Sequence, residues 1–380
     1  MAARLRMRDL PKVLLVSTSY PASAIDWRGR FIADMARTLA ETQGLRLGVW
    51  APPGELPETV TDAATVEEAA WLRRLMKDGG IAHRLRTRGP LALGTIFGLL
   101  ARLKNVYRRS DADLIHVNWM QNALPLTGGS KPVLVTVLGT DFGLLKLPGM
   151  VPLLRRALRG RRVILAPNAG WMAAELERNF GDVATVRPIP FGVDEPWFKV
   201  MRTTDASPPY RWLAVTRITR GKLGPLFEWG STVFRNGHEL HLFGPQQEAG
   251  IQIPDWVHYH GPTHPQELRE AWFPQATGLI TLSRHNEGRP QVVLEAMAAG
   301  LPVIASVLPA HDDVISHLST GMLVDTSASL KEAHSFLAVN HNNREMGEAA
   351  RRWVQANVGS WRDCAQRYLT AYQTLLGEAA

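Results

Sequence analysis

Only one cysteine, Cys364, occurs in 380 residues. That count excludes an intramolecular disulfide, leaves no cysteine cluster for zinc, and fits a reducing, cytoplasmic compartment. Long apolar runs are missing too. The longest, Pro90 to Ala101, falls well short of the roughly 20 residues that span a bilayer. Near the start, Val13-Leu14-Leu15-Val16 follows several arginines but is too short for a secretion-signal core, so it reads as a first strand. A soluble or peripheral protein is expected. Acidic residues are scarce in one window. Between Trp71 and Ser110, ten basic residues (Arg73, Arg74, Lys77, Arg84, Arg86, Arg88, Arg102, Lys104, Arg108 and Arg109) face one acid, Asp78, and the surplus exceeds the +8 of the whole chain. A local excess of this kind points to an anionic surface partner, lipid headgroups or nucleic acid. Only Trp71, Phe97 and Tyr107 are aromatic there and no nucleic-acid motif occurs, which disfavours nucleic acid.

What is present is the composition of a globular protein, 45% hydrophobic and 21% charged, long enough for two domains. Short apolar runs alternate with helical patterns. Strands are expected at Lys12–Ser17, Leu45–Trp50, Leu114–Asn118, Val133–Leu138, Arg162–Ala166 and Val186–Pro190. After a polar, Pro-containing stretch they resume at Arg211–Val215, Glu239–Phe243, Val257–Tyr259, Gly278–Leu282 and Pro302–Ala305. Helical patterns include Gly29–Thr42, Met150–Arg159, Pro265–Phe273 and Pro290–Ala299. Strands apolar along their whole length belong to parallel sheets covered on both faces. The pattern restarts near residue 210, so two doubly wound α/β domains are expected: residues 1–198, residues 199–360, and a last helix over 361–380 that returns to the first domain. Ligands of such sheets bind beyond the carboxyl ends of the strands, and an interdomain cleft is the expected site.

The most informative stretch is EGRPQVVLEAMAAGLPVIA, residues 287–305. Pro290 suits a first helical position and Gly300 a left-handed residue after the helix. Glu287 lies in the preceding turn, and Glu295 interrupts an otherwise apolar helix. Free amides at the helix start, Pro290 to Val293, would attract a phosphate. A carboxylate one turn further in can accept two hydroxyl hydrogens of a sugar diol, and Glu287 could take hydroxyls of a second sugar. On these grounds the pattern predicts a nucleotide sugar. A solvated Glu295 and a Glu287 serving the helix dipole are the plainer alternative, but two further features weigh against it. Arg217 ends the run Trp212–Arg217 and Lys222 follows five positions later, a pair able to clamp a diphosphate and neutralise a leaving group. Strand-end positions Gly244-Pro245 and Gly261-Pro262-Thr263 would line the same cleft.

Taken together these segments resemble the retaining glycosyltransferases of the GT-B fold, glycosyltransferase family 4, most closely from Arg211 to Val324. Glu-x7-Glu with EAMAAGLPVIA carries the resemblance; it implies donor-sugar contact by Glu287, ribose contact by Glu295 and diphosphate contact by Arg217 and Lys222, with Gly288, Arg289, Pro290 and Val292 around them. In the first half, Ser19-Tyr20-Pro21 and Gly29-Arg30-Phe31 resemble the family's glycine loop near the donor phosphates. Asp113–Val117, Thr136–Asp141 and Ile189–Asp194 are similar to its acceptor-side strands and the segment before the linker. Three departures stand out. Leu138 occupies the place of a family histidine, which leaves Asp141 or His116 as the polar group on the acceptor side, each with a structural role as the alternative. Arg289 stands where an aromatic residue is usual, and Leu223 where a glycine is usual.

The resemblance implies retaining hexosyl transfer from a nucleoside diphosphate sugar to an acceptor hydroxyl, with no cofactor and no metal. No DxD pair closes a strand, and Asp312-Asp313 fall in a helix-like segment. A lipid-linked glycan acceptor of polysaccharide or glycolipid synthesis, reached from an anionic inner membrane face, is expected. A soluble acceptor is the alternative; a nucleotide-sugar epimerase or a nucleic-acid-binding protein is the more distant one.

Overall fold

The computed structural model describes residues 10–23, 26, 28–77, 93–203, 208–285 and 287–377. Internal contacts divide the chain into two units, Met1–Phe191 with Trp361–Ala380, and Gly192–Ser360. The division falls a few residues before the expected 198/199. The reason is Trp197: it is 1% exposed and packs its ring 4.7 Å from Phe273, so the turn Glu195–Phe198 belongs to the second core.

The first unit is built on a parallel sheet of seven strands in the order β3-β2-β1-β4-β5-β6-β7. They are β1 (Lys12–Val16), β2 (Arg46–Trp50), β3 (Thr61–Asp62), β4 (Leu114–Asn118), β5 (Val133–Val137), β6 (Val163–Pro167) and β7 (Thr185–Val186). The continuous apolar run of β1 has a direct cause: Leu14 and Val16 enter one hydrophobic cluster, Val13 and Leu15 the cluster on the opposite face. Successive strand residues point to opposite faces, so a sheet covered on both has mostly apolar strands. Helix Trp361–Leu376 buries Trp361, Cys364, Ala365, Tyr368, Ala371, Tyr372 and Leu375, the single stripe that a 3.6-residue period gives, and completes the second of these clusters.

The second unit has six parallel strands ordered β10-β9-β8-β11-β12-β13: β8 (Tyr210–Val215), β9 (His238–Phe243), β10 (Val257–Gly261), β11 (Ala276–Thr281), β12 (Val303–Ser306) and β13 (Met322–Val324). The same alternation recurs, with Trp212 and Ala214 in one cluster and Leu213 in the other. In both units parallel pairing brings all carboxyl ends of the strands to one edge of the sheet, and loops leaving that edge carry the polar residues singled out above.

Candidate functional site

In the second unit the site grows from three loops. After β8 the chain passes Thr216 and Arg217 and enters the one-turn helix Arg220–Leu223, capped by Thr219, whose side chain accepts the Lys222 N–H. Gly224 ends that turn at φ 53°. A Cβ there would lie 1.9 Å from the Leu282 carbonyl oxygen, so only glycine lets this loop close on the end of β11. The glycine expected directly after Lys222 therefore stands two places on, and Leu223 in its stead is buried core. Across this contact the Arg284 N–H donates to the Gly221 carbonyl at 2.8 Å.

The closure sets Lys222 against the loop after β11. Its ammonium pairs with Glu287 Oε1, and the two side chains are only 15% and 16% exposed. The Ser283 hydroxyl donates to the same oxygen at 3.3 Å. Burial lowers the Lys222 pKa, Glu287 pulls it back up, and the nearby positive charge of Arg217 lowers it further. Arg217 is thus close enough to the Lys222–Glu287 pair to act on it. Gly244, at the end of β9, has φ 129°, and a Cβ would meet the Thr216 carbonyl at 1.9 Å. Its carbonyl accepts the Tyr259 hydroxyl at 2.9 Å, and the Thr263 hydroxyl turns back to Gly261 at 3.5 Å.

Helix Gln291–Ala298 begins one residue later than expected, with Pro290 as its cap (φ −77°, ψ 107°). Proline's fixed φ suits both positions, but here its ψ is extended. Gly300 is left-handed at φ 69°, as the helix end requires. Val293, Leu294, Ala296, Met297 and Ala298 are buried, whereas Gln291, Val292 and Glu295 form the half-exposed stripe. The acid in the apolar helix occupies the one face that is not core.

Arg289 does not stand open toward a donor sugar. Its Nε donates to Asp313 Oδ2 at 3.1 Å and its Nη2 bonds the same oxygen; each side chain is 10% exposed. A guanidinium committed this way is a strut of the turn before the helix, and its buried Nη1 has no hydrogen-bond partner among the described residues. Gly288 is half-buried between Glu287 and this strut.

In the first unit Gly29 caps helix Arg30–Glu41 at φ 70°, and a Cβ there would come within 2.7 Å of Ser19 and Tyr20 backbone. The acceptor-side alternatives divide. His116 is wholly buried: Nδ1 lies 2.6 Å from the Tyr372 hydroxyl and Nε2 2.7 Å from the Thr136 hydroxyl. Burial drives its pKa down to about 3, so the ring is neutral. It ties β4 and β5 to helix Trp361–Leu376 and has no ring nitrogen left for an acceptor; the acceptor-side reading of His116 is corrected to a core role. Asp141 is 2% exposed, and Oδ2 accepts the N–H groups of Leu138 at 3.0 Å and Met120 at 3.3 Å. Burial raises its pKa to about 7 against those two bonds. It is both a turn-stabilising group and a carboxyl poised to titrate near neutrality.

Sequence reasoning missed Ser283, Ser306, His311 and Asp313. The only signal was position, since Ser283 and Ser306 stand at the ends of apolar runs. A depression of about 560 Å³ lined by Ser130, Arg159, Gly160, Arg161, Arg162, Asp182 and Val183 lies before β5, β6 and β7, at the amino ends of those strands, where doubly wound sheets do not bind substrate. No group of three His, Cys, Asp or Glu side chains among the described residues is arranged to hold a metal ion.

Comparison with known proteins bears on the family and the fold. Residues 229–340 match the family described as Glycosyl transferases group 1. A D-inositol 3-phosphate glycosyltransferase of Nocardioides sp. is 30% identical over 173 residues, 45% of this chain and 36% of that protein. The chain spans about a third of the length of the curated relatives it matches first. Sucrose-phosphate synthase of Thermosynechococcus elongatus superposes with a TM-score of 0.71 at 18% identity, over 97% of this chain and 99% of that one. HepE of Anabaena, solved with UDP and glucose, gives 0.65 at 15% identity over 96% and 100%. Residues 229–340 thus match the Glycosyl transferases group 1 family, in a chain with the GT-B fold.

Proposed function

We propose that this protein is a retaining, metal-independent glycosyltransferase of family 4, moving a hexosyl group from a nucleoside diphosphate sugar to an acceptor hydroxyl. The observation that carries the reading is the Lys222–Glu287 pair with Arg217 beside it, at the carboxyl ends of the strands in the unit that holds the family match. Arg217, Lys222 and the amides of Gln291 and Val292 meet the charge that builds on the departing diphosphate. Glu295 holds the ribose hydroxyls from the half-exposed stripe of its helix, and Gly244 and Thr263 border the same strand ends. Glu287 orients the hexose, whose anomeric carbon passes through an oxocarbenium-like state, and the leaving phosphate takes the acceptor proton. Asp141 is assigned to the acceptor side.

Glu295→Ala is expected to weaken nucleoside diphosphate binding by about 1–3 kcal/mol, the range for leaving polar groups without partners. Titration calorimetry with UDP, GDP and ADP measures it, and unchanged affinity for whichever nucleotide binds would remove the ribose role. Donor hydrolysis across a panel of nucleotide sugars then names the donor.

We also propose a cytoplasmic enzyme docked on an anionic membrane face and extending a lipid-linked glycan. Helix Leu93–Arg109 supports this: Leu93 and Phe97 are 49% and 68% exposed, and Ala101, Lys104 and Arg108 continue the same exposed stripe. Arg84, Arg86 and Arg88 of the basic window lie outside the described residues. No helix among the described residues is long and apolar enough to cross a membrane. Liposome flotation should show binding that requires anionic lipid, weakens with salt and drops in Phe97→Ser and Lys104→Glu. Indifference to anionic vesicles at low salt would turn the proposal to a soluble acceptor, the reading that the inositol phosphate relatives favour.

A further inference from the structure

The contacts that hold Glu287 run deeper than its pairing with Lys222. The bonds that this carboxylate receives from Lys222 and from Ser283 both fall on Oε1. The Ser283 hydroxyl oxygen also accepts the His285 N–H at 3.1 Å, which shapes the turn. Behind it, the Ser283 carbonyl accepts the Ser306 hydroxyl at 2.6 Å, joining the ends of β11 and β12. The Ser306 carbonyl in turn lies 2.7 Å from His311 Nδ1. A carbonyl only accepts, so Nδ1 carries the proton and the tautomer is fixed, with a lone pair on Nε2.

His311 is fully buried, and its Nε2 has no hydrogen-bond partner among the described residues. Leaving a buried polar atom unsatisfied is costly, and an apolar side chain would pack there without that cost. The imidazole therefore calls for a reason other than packing. Its surroundings supply one, because Glu287, Lys222 and Asp312 all act on it electrostatically. A neutral ring beside an ion pair adds a hydrogen bond to the Ser306 carbonyl without adding charge, whereas a protonated ring would repel Lys222 and draw Glu287 away from it.

The geometry points to Ser283 and His311 as positioning residues for the donor sugar: His311 fixes the end of β12 through Ser306, Ser306 fixes Ser283, and Ser283 sets the carboxylate that meets the hexose. This inference rests on the reading of Glu287 as a donor-sugar contact. It predicts a split between the two halves of the donor. Ser283→Ala and His311→Leu should raise KM for the nucleotide sugar about tenfold, while affinity for the nucleoside diphosphate alone stays within twofold of wild type. His311→Asn, which keeps an N–H able to reach the Ser306 carbonyl, should restore most of the loss.

A simply structural role would instead lower sugar and diphosphate affinity together with Tm, and that result would overturn the inference. So would wild-type KM in a folded His311→Leu. A second measurement needs no donor. In the wild-type background, thermal melts of Lys222→Ala, Glu287→Ala and the double variant should show coupling between the two residues. The same cycle built on His311→Leu should show it reduced by half or more, and full coupling there would sink the positioning role. If the wild-type protein bound no nucleotide sugar, the donor-site reading would fall, and the cycle would still decide for or against His311 and Ser283.

Discussion

Lys222→Ala is expected to cut turnover by about 10²–10³-fold at saturating donor and, separately, to lower the melting temperature. The first effect follows from the chemistry: a positive charge aimed at a leaving diphosphate stabilises the transition state more than the bound substrate, and loss of one such preorganised group typically costs that factor. The second follows from the pair. Glu287 and Lys222 are 16% and 15% exposed, so removing the ammonium leaves a carboxylate with little water to replace it. Breaking a buried pair in this way costs about 3–5 kcal/mol when burial is complete, and about 2–3 kcal/mol is expected at this exposure. The two effects separate in the double variant. Lys222→Ala/Glu287→Ala removes both charges and should regain much of the lost Tm while remaining inactive. A single variant that kept near-normal turnover would end the diphosphate role; a double variant whose stability loss equals the sum of the two single losses would show that the pair carries no coupling. Activity measurements alone would miss this distinction.

How far the sequence discloses this arrangement depends on the distance over which a residue's role is decided. Strands of a sheet covered on both faces are mostly apolar, His116 and Asn118 of β4 being buried exceptions, which is why β4 is legible to the residue and β1 nearly so. Helix Trp361–Leu376 is equally plain, because one stripe of seven buried positions repeats at the helical period. The edge strands β3 and β13 are not legible. Two or three residues hold no period, and Thr61 and Asp62 are exposed. In the site, Lys222, Glu287 and Glu295 are visible through local motif spacing, but the Lys222–Glu287 bond joins residues 65 apart in sequence and shows only in three dimensions. His116 shows the limit most clearly. A histidine in an apolar strand has the same local sequence whether it opens to a ligand or turns into the core. What decides is Tyr372, 256 positions away, whose hydroxyl meets its ring. Arg289 is the same case at shorter range, since only the fold brings Asp313 to it.

Asp141 allows a test that needs no substrate. Its carboxyl is 2% exposed, and burial lifts its pKa from 3.8 to about 7 although two backbone N–H groups favour the charged form. The sign of the resulting pH dependence is fixed. Between roughly pH 4 and 7 the unfolded chain has lost this proton while the folded protein still holds it, so stability is fully present below the unfolded value and falls as pH rises through the folded one. A shift of this size corresponds to at most roughly 4 kcal/mol between the two limits. Asp141→Asn keeps an oxygen for the Leu138 and Met120 amides and cannot ionise. Its melting temperature should therefore approach that of wild type near pH 4 and exceed it by several degrees at pH 8, as melts at the two pH values would show. Histidines depressed by burial push the other way in part of this range. His116, depressed to about 3, and His334, depressed to about 4, each cost stability as pH falls below about 6.5, but they are common to both proteins and cancel in the comparison. Equal melting temperatures at pH 8 would mean that Asp141 ionises without penalty in the folded chain. An advantage for Asn that came with lost transfer activity would identify a buried carboxyl kept at the expense of stability, the expected mark of a functional group on the acceptor side.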